Sequence, residues 1–269
     1  MCRLVGYLAP TPVRMNEVLL DPPNSLQRQA VRNPHGWGVA AYAPGSETPV
    51  VKKSVAPACQ DSNFETVSKG SAAAFIAHVR FATVGGLRKR NCHPFTIGRW
   101  SFAHNGTVHR VAEIRSEVLA EIDPDLRGKI RGGTDSEACF YLFLTRLRRL
   151  AVDFDQPTAK EVARSLVEVS DWLAALADRP GEVPTATNFL ATDGHLMVAM
   201  RRHRTLAFST GDQQPFAKAG DRVDHLLVAS APLSRQKDWR QLAEDSIVAI
   251  DLKSRLQLWN MSDLATPET

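Results

Sequence analysis

Cys2 stands directly behind the initiator methionine, in Met1-Cys2-Arg3-Leu4-Val5-Gly6-Tyr7. A residue this small permits methionine removal, and the processed chain then opens on one residue carrying a thiol and a free α-amine. The two groups titrate near pH ~8.5 and ~8, so nucleophile and base share one residue within reach of neutral pH. Taken alone, Cys2 is better read as a small apolar residue opening a strand. Its company changes that reading. Arg80 lies on an alternating stretch in which Phe75, Ala77, Val79 and Phe81 point one way and His78 and Arg80 the other. An inward guanidinium requires a carboxylate or an equivalent acceptor; a substrate carboxylate and a structural ion pair both satisfy it. In Asn105-Gly106 a side-chain amide and a glycine N–H are suitable donors to a developing oxyanion, although the same dipeptide is by default a β-turn. Asp135 falls in the first turn of a helix, where it either offsets the helix dipole or holds a substrate ammonium. A thiol beside a base, an oxyanion donor pair, a cation for a carboxylate and an anion for an ammonium describe one substrate type. It is an α-amino acid bearing an amide, which is glutamine or a γ-glutamyl amide.

The elements that must position these groups are strands first, helices in the middle and strands again. Residues 2–8 read as a strand stopped by Pro10 and Pro12, and short helices are expected on either side of Asp21-Pro22-Pro23. Strands follow at 36–42, 50–55 and 72–82, with a helix at 61–70. Residues 36–42 also fit the dinucleotide pattern GxGxxA, but Pro44-Gly45 forbids the helix that pattern needs. Residues 100–103 form a strand running into His104-Asn105-Gly106, a turn signal that would leave Asn105 and the following amides exposed at the strand end. Thr134 with Glu137 and Thr158 with Glu161 read as capping boxes opening two amphipathic helices, the second reaching about residue 177. A hairpin at Asp193-Gly194 and strands at 205–209, 225–230, 246–251 and 255–259 complete the chain. The pattern is α+β: two antiparallel sheets with helices stacked on them. With no linker or repeat in view, residues 1–269 are expected to form a single domain.

The totals exclude several classes. Of the 269 residues 43% are apolar and 23% charged, as in an ordinary globular protein. No apolar run is long enough to span a membrane, and with no apolar h-region in the first twenty residues no secretory leader is expected. Cysteines at 2, 59, 92 and 139 show neither CxxC pairing nor finger spacing, so reduced thiols in a cytoplasm are expected. The net charge of +4 is spread over separated basic runs, which read as solvated faces and not as a nucleic-acid footprint. Cys92, His93, His104 and His109 are metal-ligand types, but their spacing matches no familiar site. No metal and no cofactor are expected.

Six motifs occur in order: Met1-Cys2, Gly36-Trp37-Gly38, His78-Val79-Arg80-Phe81-Ala82-Thr83, His93-Pro94-Phe95, His104-Asn105-Gly106-Thr107 and Thr134-Asp135-Ser136-Glu137. Together they resemble the class II glutamine amidotransferases, whose glutaminase domain is an N-terminal-nucleophile hydrolase. The motif match covers residues 2 to about 145, and Ser230-Ala231-Pro232-Leu233 is also similar. The resemblance is nearest to short stand-alone members of the YafJ and EgtC types. Leu20-Asp21-Pro22-Pro23-Asn24-Ser25-Leu26 looks like the EgtC branch, which hydrolyses a γ-glutamyl amide in ergothioneine synthesis. The resemblance implies a four-layer αββα sandwich, with Cys2 as nucleophile and its own amine as base. It further implies Asn105 and Gly106 as the oxyanion hole, Arg80 and Thr83 as the α-carboxylate site, and Asp135 as the α-amine site. One departure is His35, which precedes Gly36-Trp37-Gly38 where these short members usually have Asp. With no synthase domain expected, two uses of the site stay open. One is hydrolysis of a γ-glutamyl amide for its own sake; the other is delivery of ammonia to a separate synthetase. A non-catalytic glutamine sensor on the same fold is the competing class. Residues 86–94, with Arg88, Lys89 and Arg90, lie between two site motifs and read as a solvated loop, the alternative being a lid or a contact for an acidic leaving group.

Overall fold

The computed structural model describes residues 2–211, 217–235, 238–251 and 253–265. Met1 lies outside the described residues. Among the described residues thirteen strands form two sheets: β1 (Arg3–Arg14), β2 (Trp37–Tyr42), β3 (Val50–Ser54), β4 (Ser71–Val79), β5 (Phe95–Ile97), β6 (Trp100–Thr107), β7 (Ala186–Thr192), β8 (Leu196–Arg201), β9 (Ala207–Ser209), β10 (Leu226–Ala229), β11 (Arg240–Gln241), β12 (Ser246–Asp251) and β13 (Gln257–Asn260). One sheet has the order β11-β9-β10-β1-β4-β2-β3 and the other β13-β12-β8-β7-β6-β5. Every pairing is antiparallel.

The helices are α1 (Asn16–Leu19), α2 (Leu26–Gln29), α3 (Ser62–Ser68), α4 (Val111–Glu121), α5 (Pro124–Arg127), α6 (Asp135–Leu150), α7 (Ala159–Ala177) and α8 (Met261–Ala265). Three apolar cores separate four layers. Leu4 and Leu8 of β1 face Leu190, Met197 and Val248 between the sheets. Val5 and Tyr7, one residue out of phase, face Leu19, Leu26 and Phe64 of the outer helices. On the far side α6 and α7 cover the second sheet through Phe140, Phe143, Leu166 and Leu173. A strand reverses its facing at each residue, so β1 serves two cores at once. Gly6 keeps the sheets close, because a Cβ there would stand 2.6 Å from Leu190 Cδ2. The architecture is the four-layer αββα sandwich the sequence implies.

Four local expectations are corrected. β1 is not stopped by Pro10 and Pro12 but runs on to Arg14, and β4 ends at Val79, so Arg80 lies just past the strand and not on it. Asn105-Gly106 is not a turn: β6 continues through it, with Asn105 opposite Asn188 and Gly106 opposite Thr187 of β7. Ladder hydrogen bonds and burial override the turn preference of the dipeptide. A Cβ on residue 106 would lie 1.9 Å from the Ala186 carbonyl oxygen, so glycine is what lets the strand pass. The second capping box is complete, since the Thr158 hydroxyl accepts from the Glu161 N–H while the Glu161 carboxylate accepts from the Thr158 N–H. At α6 only half of one exists. Thr134 accepts from the Glu137 N–H, but the Glu137 carboxylate turns away to the N–H groups of Arg131 (2.9 Å) and Gly132 (2.6 Å).

Candidate active site

The register of β1 against β4 sets Arg3 opposite Val79, so the residue before Arg3 arrives beside the chain leaving β4. There Cys2 meets the backbone of Phe81. The Phe81 N–H donates to the sulfur at 3.2 Å, and the thiol donates to the Phe81 carbonyl at 3.4 Å. Burial pushes the Cys2 thiol above the ordinary 9.0, the Phe81 amide and the Arg80 guanidinium pull it back, and the Asp135 carboxylate adds to the rise. Both charged residues therefore act on the sulfur. Alkylation of Cys2 by iodoacetamide, followed by peptide mapping, should still be accelerating at pH 9, because the thiolate is the reactive form. A rate already level by pH ~8 would contradict this reading of the thiol.

Arg80 is buried, and its guanidinium donates to three carbonyls of the loop that follows: Val84 (2.7 Å), Gly85 (3.1 Å) and Gly86 (3.0 Å). Three of the five N–H donors of a guanidinium are thereby used and two are left for a ligand. Arg80 is thus a clamp on its own loop before it is anything else. Asn91 extends the clamp, donating to the Gly86 carbonyl and accepting from the Gly133 N–H just before α6. Thr83 sits exposed at the start of the clamped loop, and Arg88, Lys89 and Arg90 are exposed beyond it.

Asn105 is buried, and its Nδ2 donates to the Ser230 hydroxyl at 3.1 Å. The same hydroxyl accepts from the Leu4 N–H at 3.0 Å. Ser230 therefore fixes the amide of one sheet to the strand that carries Cys2 in the other. The second proton on Nδ2 remains for a ligand. Asp135 opens α6 and is held at both oxygens, by the Val108 N–H at 2.9 Å and by the Ser136 N–H at 2.8 Å. Since Val108 directly follows β6, this ties the helix start to the strand bearing Asn105. His104 completes the tie. Its Nε2 donates to the Ala186 carbonyl, which leaves Nδ1 to accept from the Ser136 hydroxyl.

Cys2 thus lies within electrostatic reach of Arg80 and Asp135, and Ser230 ties Asn105 to Leu4, two residues beyond Cys2. The family described as glutamine amidotransferases class-II matches residues 1–252. The chain belongs to the class II glutamine amidotransferases. Among relatives of this amidotransferase is the probable glutamine amidotransferase DUG3 of Saccharomyces cerevisiae, 30% identical over 93% of this chain and 82% of that one. The gamma-glutamyl-hercynylcysteine sulfoxide hydrolase of Mycobacterium tuberculosis is 35% identical over 41% of this chain and 51% of that protein. A glutamine aminotransferase class-II domain protein from silicibacter pomeroyi shares the fold at TM-score 0.68 and 21% identity, with 97% of this chain and 99% of that one covered.

The departure at His35 is accommodated: its Nδ1 accepts from the Ala82 N–H at 2.9 Å. Four contributors to the amidotransferase site escape a reading of the sequence alone, namely Ser230, Ser136, Asn91 and the acceptor role of His35. Ser230 and Ser136 lie in quoted motifs and His35 was singled out as a departure, but none carried a role, and Asn91 was not marked at all. Among the described residues neither ring nitrogen of His93, nor of His78 beside it, has a hydrogen-bond partner. Among the described residues no three His, Cys, Asp or Glu side chains are placed to hold a metal ion, and no helix is long and apolar enough to cross a membrane.

Proposed function

We propose that this amidotransferase hydrolyses the γ-amide of glutamine or of a γ-glutamyl amide through a thioester on Cys2. The observation that carries the reading is the placement of the Cys2 sulfur. It is held by the Phe81 backbone within the electrostatic reach of both Arg80 and Asp135. With Met1 removed, the Cys2 amine takes the thiol proton and the sulfur attacks the γ-carbonyl. Asn105 Nδ2 and the Gly106 N–H hold the charge on oxygen, the departing nitrogen takes up the proton, and water then cleaves the thioester to release glutamate. The spare donors of Arg80, with Thr83, take the α-carboxylate, and Asp135 takes the α-ammonium. The likeness to a γ-glutamyl hydrolase favours hydrolysis for its own sake. Glutamate release from a γ-glutamyl conjugate by the purified chain alone is the test. Idleness until a synthetase is added would instead favour ammonia delivery. That second reading draws on the likeness to the glutamine--fructose-6-phosphate aminotransferase of Corynebacterium efficiens, 26% identical over 80% of this chain but only 32% of that longer protein.

Loss of an oxyanion donor lowers turnover ~10²–10³-fold, which is the expectation for Asn105→Ala. Ser230→Ala is expected to lose kcat by a smaller factor, ~10-fold, with KM little changed, because the amide swings without being removed. Ser230→Thr, which keeps the hydroxyl, should restore most of the rate. Equal loss in the two Ser230 variants would show that the hydroxyl does not position Asn105.

A further inference from the structure

Arg80 and Asp135 stand on separate stretches of chain, one just past β4 and the other opening α6. For one small molecule to touch both, the interval between them must be fixed. Asn91 spans it. This residue closes the 3₁₀ turn Lys89–Asn91, is itself buried, and is followed by the buried Cys92. Its Nδ2 donates at 2.9 Å to the Gly86 carbonyl, the same oxygen that accepts from the Arg80 guanidinium at 3.0 Å. Its Oδ1 accepts at 3.3 Å from the Gly133 N–H, two residues before Asp135. A carbonyl must receive an N–H and a backbone N–H must meet an oxygen, so these partners fix which way the amide faces.

The packing around the amide is tight. A Cβ on Gly132 would lie 2.5 Å from Asn91 Oδ1 and 2.7 Å from Glu137 Oε2, so the chain entering α6 is seated between those two side chains. Glu137 holds the same stretch from the other side through the N–H groups of Arg131 and Gly132. Gly85, at φ +74°, would set a Cβ 3.0 Å from Asn91 Nδ2 and 3.2 Å from Thr134 Cγ2, which brings the loop clamped by Arg80 against the cap of α6. Neither stretch can slide past the other without breaking a hydrogen bond of Asn91, and an unpaired buried donor or acceptor is costly.

We infer that Asn91 is a positioning residue that fixes the spacing of Arg80 and Asp135, and that this spacing makes the site selective for the L form of the amino acid. The inference rests on the proposed placement of the α-carboxylate at Arg80 and the α-ammonium at Asp135, and it deepens that reading. The Cys2 sulfur, the guanidinium and the carboxylate are three points of attachment. With the γ-carbonyl at the first, only one hand of the α-carbon presents its two charged groups to the other two points at a fixed interval. Once the cation and the anion move independently, the D form is gripped as well. Asn91 acts through the two stretches it joins and not on the substrate.

The L and D forms of glutamine and of its γ-methylamide test this, because the ratio of their kcat/KM values cancels any general loss of activity. The parent should favour the L form by ~100-fold or more, the scale on which a misplacement of about 1 Å acts. Asn91→Ala should bring the ratio within ~10-fold of unity, with the loss on the L form falling mainly on KM, as when binding common to ground and transition states is removed. Cleavage of the D form should hardly change, whereas general damage to the fold would slow both forms alike. Asn91→Asp keeps the size and the acceptor for Gly133 but cannot donate to Gly86, so it cuts the tie at one end and should also lower the ratio. It serves as the test if the alanine variant does not fold. A parental ratio kept in the variants overturns the role of Asn91 and leaves hydrolysis intact, as does a parent that cleaves both forms equally well. A parent that cleaves none of the four amides overturns hydrolysis and the inference together.

Discussion

Cys2→Ala is expected to lower glutamate release by about 10⁴–10⁶-fold, the scale on which removal of a covalent nucleophile acts. Stability should hardly change. The sulfur contributes two weak contacts to one residue, Phe81, at a strand end, and the apolar cores begin only at Leu4 and Val5. Far-UV circular dichroism and the urea midpoint should therefore match the parent while turnover disappears. Retained turnover would remove the thioester from the mechanism. Turnover lost together with the fold would instead make the residue structural.

The second large effect is on stability in acid. The rings of His78 in β4 and His93 lie with centroids 4.2 Å apart and planes tilted by 37°, and none of their ring nitrogens has a hydrogen-bond partner among the described residues. Burial, aided by the charges of Arg80, His104 and Lys53, drives His78 down to about 3. Burial, with His78, His104, Lys53 and Arg80, drives His93 well below 6.5. Lys53, over the Phe95 ring, is itself lowered to about 8 by burial. The unfolded chain takes up imidazole protons near pH ~6.5 and the folded chain does not. Stability is thus fully present above the unfolded value and is lost as pH falls towards the folded one. At pH 5 the imidazole of His78 alone costs ~2 kcal/mol, and His93 adds in the same direction. Against a typical total of ~5–15 kcal/mol that is a large share. The urea midpoint should fall clearly between pH 7 and pH 5, and His93→Leu should flatten that slope. A midpoint indifferent to pH, or an unchanged slope in the variant, would contradict it.

The fold was legible because its signals are local and repeat. Alternation in β4, helical spacing in α6 and α7, and the Asp193-Gly194 hairpin each follow from near neighbours. The site was legible for a different reason: Cys2, Arg80, Asn105 and Asp135 are residue types with narrow chemical uses, in motifs whose order matches a family. What stayed hidden depends on pairing across the chain. Ser230 reaches Asn105 over 125 positions, and no local pattern reports that contact. Asn105-Gly106 misled because a dipeptide cannot reveal that β7 waits to pair with it. Arg80 was read as needing a carboxylate or an equivalent acceptor, and three of its donors find that equivalent in carbonyls only four to six residues ahead. That choice belongs to the loop backbone, which side-chain identities do not specify.

Intact mass, recorded before and after treatment with a diazo-ketone analogue of glutamine, tests the central claim most directly. The expected result is a chain that has lost Met1 and gains one adduct, mapped to Cys2 and slowed by added glutamine. An active preparation that keeps Met1, or an adduct on Cys59 with Cys2 unmodified, would contradict an N-terminal sulfur nucleophile.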